Sequence, residues 1–281
     1  MTSQDAGIRE GSGQPPQQRI DTSVPHPARR YNYWLGGKDH FQADRDSGDE
    51  IARAFPTVRI AALENRAFLR RAVTTMTELG VRQFIDIGCG IPAPGNTHEV
   101  AQAIAPSSRV VYIDNDPIVM SHARALLNSA PEGATAYIEA DARSGKELLR
   151  HPELLRTLDL SQPVGLLLVA LLHFFSDDDD PYGIVKGLVE GLASGSYLAV
   201  SHATIDPLPP QVRSIALAAA ASGRHGNLYP RGREEFQRFF DGLELLEPGI
   251  TSVSDWRAEN EPPPRPSPAE TAVYGAVARI P

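Results

Sequence analysis

The pattern of hydrophobic and polar positions divides the chain into three parts. Residues 1–24 are rich in Gly, Ser, Gln and Pro and hold few large apolar side chains. Such a segment cannot bury enough surface to offset its chain entropy, so we predict a disordered tail. Over residues 39–79 apolar positions recur at helical spacing, with Arg and Glu on the other face. Pro56 divides this region into two predicted helices.

Past Gly80 the period changes to short apolar runs separated by segments of helical pattern. The five runs occupy residues 83–88, 109–116, 134–141, 164–175 and 196–203. This alternation predicts an α/β fold with a mostly parallel sheet and helices on both faces. Two later runs, 243–253 and 272–280, bring the predicted strand count to seven, and the proline-rich residues 255–270 must form a loop.

Composition and charge narrow the classes of function. The chain has 281 residues, a net charge of -8 and one cysteine. This charge argues against a broad nucleic-acid or anionic-membrane surface, and one cysteine excludes an intrachain disulfide. No charged start followed by an apolar run and no 18-residue apolar stretch is present. We therefore expect a cytoplasmic protein without a membrane partner.

The motif DIGCG follows the first predicted strand at residues 86–90. Its glycines allow a backbone to approach a ligand closely. The glycine spacing also matches the dinucleotide fingerprint, so an NAD(P)-linked oxidoreductase is an alternative. Against that alternative, the Asp86 carboxylate would repel a pyrophosphate, and the next helix starts only at about Thr97 because two prolines follow the loop.

Three carboxylates end three successive predicted strands, where open sheets bind ligands. Asp86 suits a positively charged amine, Asp114 both hydroxyls of a ribose, and Asp141 the exocyclic amine of a base. These groups together describe S-adenosylmethionine. Each acid alone could instead cap a helix or be a solvated strand end. Three such acids at the ends of successive strands favour the interpretation that they bind one ligand together.

The motifs DIGCG, YIDNDP, EAD and LLHF, in that order, resemble those of the Rossmann-like S-adenosylmethionine-dependent methyltransferases. More narrowly, RRYNYWLGGKDHF, ENRAFLRRAV, GNTHEVAQ and GSYLAVSHAT resemble the actinobacterial S-adenosyl methyltransferase family once catalogued as a domain of unknown function. The resemblance covers the chain from about Pro25 to Arg279. It implies a Rossmann-like methyltransferase fold, the cofactor and methyl transfer, but hardly the acceptor. The family more often has Thr where Cys89 stands.

Candidate site residues follow from the strand ends and from the resemblance. For cofactor binding they are Asp86, Gly88, Cys89, Gly90, Asp114, Asn115, Asp141, Ala142, Tyr31, Gly36, Gly37 and Arg66. For the acceptor pocket they are Tyr33, Trp34, His173, His202, Tyr229 and Arg231. His173, which we place at the end of the fourth strand, is the catalytic candidate, either as an acceptor contact or as a base, with packing at the strand end as the alternative.

The stretch ARRYNYWLGGKDHF (28–41) contains a Gly-Gly-Lys that resembles a phosphate loop. It fails that motif because Asn32 and Asp39 stand where glycine and a hydroxyl residue are required. A simple turn is one interpretation. We predict that residues 25–80 form a helical lid over the strand ends and that the turn lies within this lid. Its aromatic residues wall the pocket, and its two glycines allow close approach and a hinge.

The sequence thus predicts one structural domain over residues 25–281, with a Rossmann-like core at 81–281. The predicted function is methyl transfer from S-adenosylmethionine to a small-molecule acceptor. The alternatives are a non-catalytic protein that binds the cofactor and the NAD(P)-linked oxidoreductase. The acidic run 177–181 is interpreted as a turn and helix cap, and no metal site is predicted. A nucleic-acid partner is not expected, because no Asn/Asp-Pro-Pro-aromatic sequence follows the fourth strand.

Overall fold

The computed structural model describes residues 21–126, 129–222 and 226–281. Its strands are β1 (Gln83–Ile87), β2 (Arg109–Asp114), β3 (Ala134–Glu139), β4 (Gly165–Val169), β5 (Tyr197–Ala203), β6 (Glu244–Leu245), β7 (Thr251–Ser252) and β8 (Val273–Arg279). They form one sheet in the order β3-β2-β1-β4-β5-β8-β6, and β7 also pairs with β8. Strands β1 to β5 are parallel, and β8 runs antiparallel to β5. The predicted mostly parallel α/β sheet is confirmed.

The strand count is eight rather than the predicted seven. The run 243–253, predicted as one strand, contains two short strands, β6 and β7, which both pair with β8. Pro248 lacks a backbone donor, and Gly249 has a φ of +77°. The chain therefore turns between β6 and β7 instead of extending the ladder.

Helices cover both faces of the sheet, as predicted. They are α1 (Pro27–Trp34), α2 (Gln42–Ala54), α3 (Val58–Glu78), α4 (Thr97–Ile104), α5 (Pro117–Leu126), α6 (Pro152–Thr157), α7 (Pro181–Val189), α8 (Pro210–Ala221), α9 (Arg233–Gln237) and α10 (Pro268–Thr271). Successive strand residues point to opposite faces. Ile85 therefore packs in the core beneath α6, α7 and α9, and Phe84 in the core beneath α3 and α4. No helix in the described ranges is long and apolar enough to cross a membrane.

Helices α1 and α2 form a layer beside the strand ends. Asp44 of α2 is fully buried and accepts hydrogen bonds from the backbone N–H groups of His26 and Phe41, at 2.8 Å each. Arg29 of α1 lies 3.7 Å from the Asp44 carboxylate and 3.6 Å from that of Asp116, which follows β2. These contacts tie α1 to both α2 and the sheet.

The start of the chain was predicted as a disordered tail over residues 1–24. Residues 1–20 lie outside the described residues. The carbonyls of Asp21 and Val24 accept hydrogen bonds from the Arg29 guanidinium, so this end of the predicted tail contacts α1.

The Gly-Gly pair ends helix α1. The Gly36 N–H donates to the carbonyl of Tyr33, and the Gly37 N–H donates to that of Asn32. Gly36 has a φ of +79°. These two bonds and the left-handed residue are the pattern that closes many helices, and Gly36 is the residue that tolerates it best. The structure therefore places the predicted turn at the end of α1.

Candidate active site

A cavity of about 440 Å³ lies over the carboxyl ends of the strands. Helices α1, α2, α3 and α8 supply one side of its wall, and the loops after β1, β2, β3, β4 and β5 supply the other. Its volume is in the range of small-molecule sites, which commonly occupy this edge of α/β sheets.

The glycine loop after β1 forms the floor. Gly88 and Gly90 have φ values of +74° and +67°, which side chains rarely adopt. A Cβ on Gly88 would lie 2.7 Å from the Leu171 side chain, whereas a Cβ on Gly90 would meet nothing within 4 Å. Gly88 is thus required by packing and conformation, while Gly90 leaves the cavity open beside the backbone. Cys89 between them also lines the cavity.

Asp86 at the end of β1 is a buried carboxylate with one oxygen unused. Its Oδ2 accepts a hydrogen bond from the Thr97 hydroxyl at 2.6 Å, while Oδ1 accepts none from the part of the chain that the structure describes. Burial raises the pKa of Asp86 from its ordinary 3.8 to about 6, although Thr97 and Arg66 favour the charged form. Such a group would be stabilised by an ammonium ion in the cavity.

Asp114 at the end of β2 is also buried, and burial raises its pKa. Its Oδ2 accepts from the Gly90 N–H at 2.9 Å, and its Oδ1 accepts from the Asp116 N–H at 3.0 Å. Each carboxylate oxygen can accept further bonds, so the ribose role remains open to it. Asn115, next in the chain, is exposed and lines the cavity.

Asp141 after β3 lines the cavity but is engaged with its neighbours. Its Oδ1 accepts from the Arg143 N–H at 2.9 Å as the cap of the 3-10 helix Ala142–Arg150. Its carboxylate also lies 3.4 Å from the Arg143 guanidinium and is 45% exposed. The helix-cap interpretation therefore applies to Asp141. The exocyclic amine of a base would have to share its carboxylate with Arg143. Ala142 lies on the cavity wall.

A chain of hydrogen bonds links α1 to the strand ends. The Tyr31 hydroxyl donates to the carbonyl of Ala62 at 2.9 Å and accepts from Asn65 Nδ2 at 2.9 Å. Asn65 Oδ1 accepts from the Ser201 hydroxyl at 2.5 Å, and Ser201 Oγ accepts from the Ala170 N–H. The chain holds Tyr31, which lines the cavity, in a fixed position.

Arg66 of α3 faces the glycine loop. Its Nη2 lies 3.4 Å from the carbonyl of Ala93 and 3.3 Å from that of Gly95. Arg66 lines the cavity and favours the charged form of Asp86. It can hold the loop and still offer donors to a carboxylate beside Asp86.

His173 lines the cavity but does not end a strand, contrary to our prediction. Strand β4 ends at Val169, Ala170 takes a φ of +55°, and His173 lies in the 3-10 helix Leu172–Phe174. Its Nδ1 accepts from the Ala203 N–H at 3.3 Å, so Nε2 carries the proton. Burial, with a contribution from Arg231, lowers the pKa of His173 to about 3. It is therefore suited to donate a hydrogen bond and unsuited to accept a proton at neutral pH.

Arg231, His202 and Tyr229, predicted for the acceptor pocket, do not line the cavity. Arg231 is buried and donates to the carbonyls of Leu172 and Phe175 and to His202 Nε2. His202 is completely buried, and burial lowers its pKa well below 6.5. The Tyr229 N–H donates to the His173 carbonyl at 2.7 Å. These residues hold the turn that carries His173.

Helix geometry explains which predicted lid residues reach the cavity. Tyr31 and Trp34, three positions apart, share one face and line it. Tyr33 faces away, donates to Asp49 Oδ1 at 2.8 Å and contacts the Arg59 guanidinium. Gly36 and Gly37 close the helix beyond the cavity. The predicted pocket role of Tyr33 and the predicted cofactor contacts of both glycines therefore do not agree with the structure.

Several lining residues were missed by sequence reasoning. Arg30 shares the face of Tyr31 and Trp34, and Glu50, Ile51 and Ala54 share one face of α2. Spacings of three and four would have identified both sets once the helices were assigned. The pairing of Asn65 with a residue of β5 crosses 136 positions of sequence, and no local signal predicts it.

The residues present fit S-adenosylmethionine. The buried Asp86 has a free oxygen for the amine, Asp114 adjoins an unfilled space beside Gly90, and the cavity wall is otherwise mainly apolar. Among the described residues no cluster of His, Cys, Asp or Glu could hold a metal ion. The fold and this floor define a Rossmann-like methyltransferase site.

Comparison with known proteins identifies the family. A family model described as S-adenosyl methyltransferase matches residues 13–281. A DUF574 family protein from Streptomyces avermitilis is 46% identical, with 93% of this chain and 99% of that chain covered and a TM-score of 0.85. A protein from Thermobifida fusca, assigned provisionally as a methyltransferase, is 38% identical over 92% of this chain and 96% of its own, with a TM-score of 0.83. No curated protein matches the chain.

The chain therefore belongs to the S-adenosyl methyltransferase family. It is an S-adenosylmethionine-dependent methyltransferase, as the motifs predicted, and the NAD(P)-linked alternative is set aside. Both relatives come from actinobacteria, in agreement with the resemblance.

Proposed function

We propose that this methyltransferase acts on a small molecule that binds under α1, α2 and α8. The observation that carries the proposal is the continuity of the cavity. The same space that reaches Asp86, Gly90 and Asp114 extends between the apolar faces of α2 and α8, where Ile51 and Val212 line it. An acceptor in the part of the cavity between α2 and α8 would lie next to a cofactor bound over the glycine loop.

The bound cofactor would supply a methyl group on a sulfonium, ready for in-line displacement by a nucleophile. The chain's own residues would bind and align the reactants and exclude water, which supplies much of the rate in such reactions. Asp86 would hold the amine, Asp114 the ribose hydroxyls and Arg66 the carboxylate. Tyr31 and Trp34 would close the cavity from the side of α1, and residues 25–80 would serve as the lid.

His173 would act as a hydrogen-bond donor to the acceptor. Its protonated Nε2 and its pKa of about 3 support this role rather than that of a general base. An acceptor with an acidic proton would then lose it to water or ionise before transfer.

The test is calorimetry with S-adenosylmethionine and S-adenosylhomocysteine, followed by transfer of a labelled methyl group to a library of small molecules, with tRNA and duplex DNA as parallel acceptors. We expect cofactor binding and labelled small-molecule product. Label in nucleic acid alone would contradict the proposal, and binding without transfer to any acceptor would favour the non-catalytic alternative.

A further inference from the structure

Arg30 is a buried cation on the cavity wall with little to neutralise it. The residue is 5% exposed and lines the cavity from α1. Its only hydrogen bond among the described residues is from Nη1 to the Ser47 hydroxyl, at the long distance of 3.5 Å. Its Nε is buried and has no partner. A guanidinium has five donors, and burying them without acceptors is unfavourable.

The charges that the described residues place nearby do not satisfy Arg30. Asp44 is the acid that favours its charge, but that carboxylate already serves Arg29 and two backbone N–H groups. Burial lowers the pKa of Arg30 to about 10, so the side chain is still charged at neutral pH. Glu50 lines the same wall and already has an interaction of its own. A positive charge therefore faces the cavity ready for a ligand.

The position of Arg30 assigns it to the acceptor rather than the cofactor. It contacts Ser47 of α2, and its Nη2 lies 4.0 Å from where a Cβ would stand on Gly226. The glycine loop has its own cation, because Arg66 of α3 lies against Gly95 there. Arg30 shares the cavity wall with apolar residues of α2, α8 and the segment after it, namely Ile51, Ala54, Val212, Ala216 and Leu228.

We propose that Arg30 binds a carboxylate on the methyl acceptor, so that the substrate is a monoanionic acid with an apolar body. One guanidinium matches one carboxylate, which it can bind through two parallel hydrogen bonds. A doubly charged phosphate would be less favoured, because one guanidinium does not neutralise two negative charges and Glu50 lies on the same wall. This inference rests on the proposed function, since it names the substrate class of the same site.

The experiment titrates benzoate and benzamide into the protein saturated with S-adenosylhomocysteine. The two probes share an apolar ring and differ in charge. We expect benzoate to bind at least about tenfold more tightly than benzamide, as charge-assisted bonds to a buried cation require. Arg30→Gln should lose this preference and keep its affinity for benzamide and S-adenosylhomocysteine. Arg53→Gln, which removes an exposed cation of α2 away from the cavity, should retain the preference.

Three results would overturn the assignment. They are no benzoate binding to the wild type up to its solubility limit, an equal affinity for both probes, and a preference that survives in Arg30→Gln. A loss of S-adenosylhomocysteine affinity in folded Arg30→Gln would overturn it too, by assigning Arg30 to the cofactor carboxylate. If Arg30→Gln does not fold, a crystal structure of the wild type with benzoate decides, because its carboxylate must lie within hydrogen-bond distance of Arg30.

The same titrations separate this inference from the proposed function. If S-adenosylhomocysteine does not bind the wild type, the proposed function fails, and benzoate titrated into the free protein still tests Arg30. If the cofactor product binds and benzoate shows no preference, only the acceptor assignment fails.

Discussion

Replacing Asp86 by asparagine should stabilise the protein and weaken its hold on the cofactor at the same time. The side chain is 5% exposed, and its pKa rises from 3.8 to about 6 chiefly because burial disfavours the charge. Asparagine keeps the shape and an acceptor for the Thr97 hydroxyl but removes the buried charge. This one variant should therefore show two effects of the charge separately. One is its unfavourable contribution to folding stability, and the other is its favourable contribution to binding the cofactor amine.

The effect on stability follows from the raised pKa. A carboxyl whose folded pKa exceeds its unfolded value contributes stability below the unfolded pKa and loses it as pH rises through the folded one. The difference between 3.8 and about 6 corresponds to roughly 3 kcal/mol of unfavourable charge burial at neutral pH. We expect Asp86→Asn to increase the free energy of unfolding by up to that amount at pH 7.5. The gain should shrink as pH falls through 6 toward 4.

The effect on cofactor binding has the opposite sign. A charge-assisted hydrogen bond contributes about 1.5–3 kcal/mol, so Asp86→Asn should weaken S-adenosylmethionine about 10- to 150-fold. In the wild type the carboxyl must ionise to bind the amine. Affinity should therefore hold above pH 6 and fall about tenfold per pH unit below it.

Chemical unfolding and calorimetry between pH 5 and 8 measure both effects in wild type and Asp86→Asn. 5′-Methylthioadenosine is the matched control ligand, because it keeps the adenosine but lacks the amine and carboxylate. Its affinity should be unchanged by the substitution. The difference between the two proteins at each pH removes contributions from Asp114, whose pKa is also raised. A variant that is less stable, or that loses both ligands equally, would refute the reasoning.

Three further predictions follow from the contacts around the cavity. His173→Phe, which removes the ring donor, should leave cofactor affinity within about threefold and lower kcat about tenfold or more. The wild-type rate should show no titration of this residue near pH 6.5, since its pKa is about 3, and a general-base titration in the pH profile would count against the donor role. Asn65→Ala should lower the free energy of unfolding by about 1–3 kcal/mol, because it removes the donor to the Tyr31 hydroxyl and the acceptor of the Ser201 hydroxyl. An unchanged denaturation midpoint would contradict this. Gly37→Ala should loosen the end of α1, since a Cβ there would clash with the Asn32 side chain. Faster proteolysis of the N-terminal helices with weaker cofactor binding would show it, whereas an unaltered digest would argue against it.

The core of the fold could be predicted because its signals are local. Short apolar runs and the helices between them identify β1 to β5. Strands β1, β2, β4 and β5 are buried on both faces, and the edge strand β3 buries Ala136 and Ile138. The acids at the strand ends could be predicted to lie together, because the carboxyl ends of parallel strands meet at one edge of the sheet. The break between β6 and β7 depends on Pro248 and Gly249, which the pattern of apolar residues alone does not weigh.

The contribution of the lid was harder to predict because it depends on the rotation of one short helix. The aromatic cluster of residues 31–34 indicated a wall, but only the helical phase separates Tyr31 and Trp34 from Tyr33. The same phase places Arg30 on the wall. Gly36, typical of a helix end, could have indicated where α1 stops. The end of the helix then fixes which of its residues share one face.

The surroundings of His173 could not be read from the chain because its contacts are distant in sequence. The apolar run 164–175 extends past the end of β4, and only the φ of +55° at Ala170 turns the backbone there. Arg231 then holds the turn from 59 positions away through the Leu172 carbonyl. Periodicity carries no information on such long-range bonds.

The most direct test of the account is a crystal structure of the protein with S-adenosylhomocysteine. We predict that the amine lies within hydrogen-bond distance of Asp86, that the ribose hydroxyls lie on Asp114, and that the sulfur faces the part of the cavity that His173 lines. A ligand that binds elsewhere, or that binds here with its amine away from Asp86, would contradict the account.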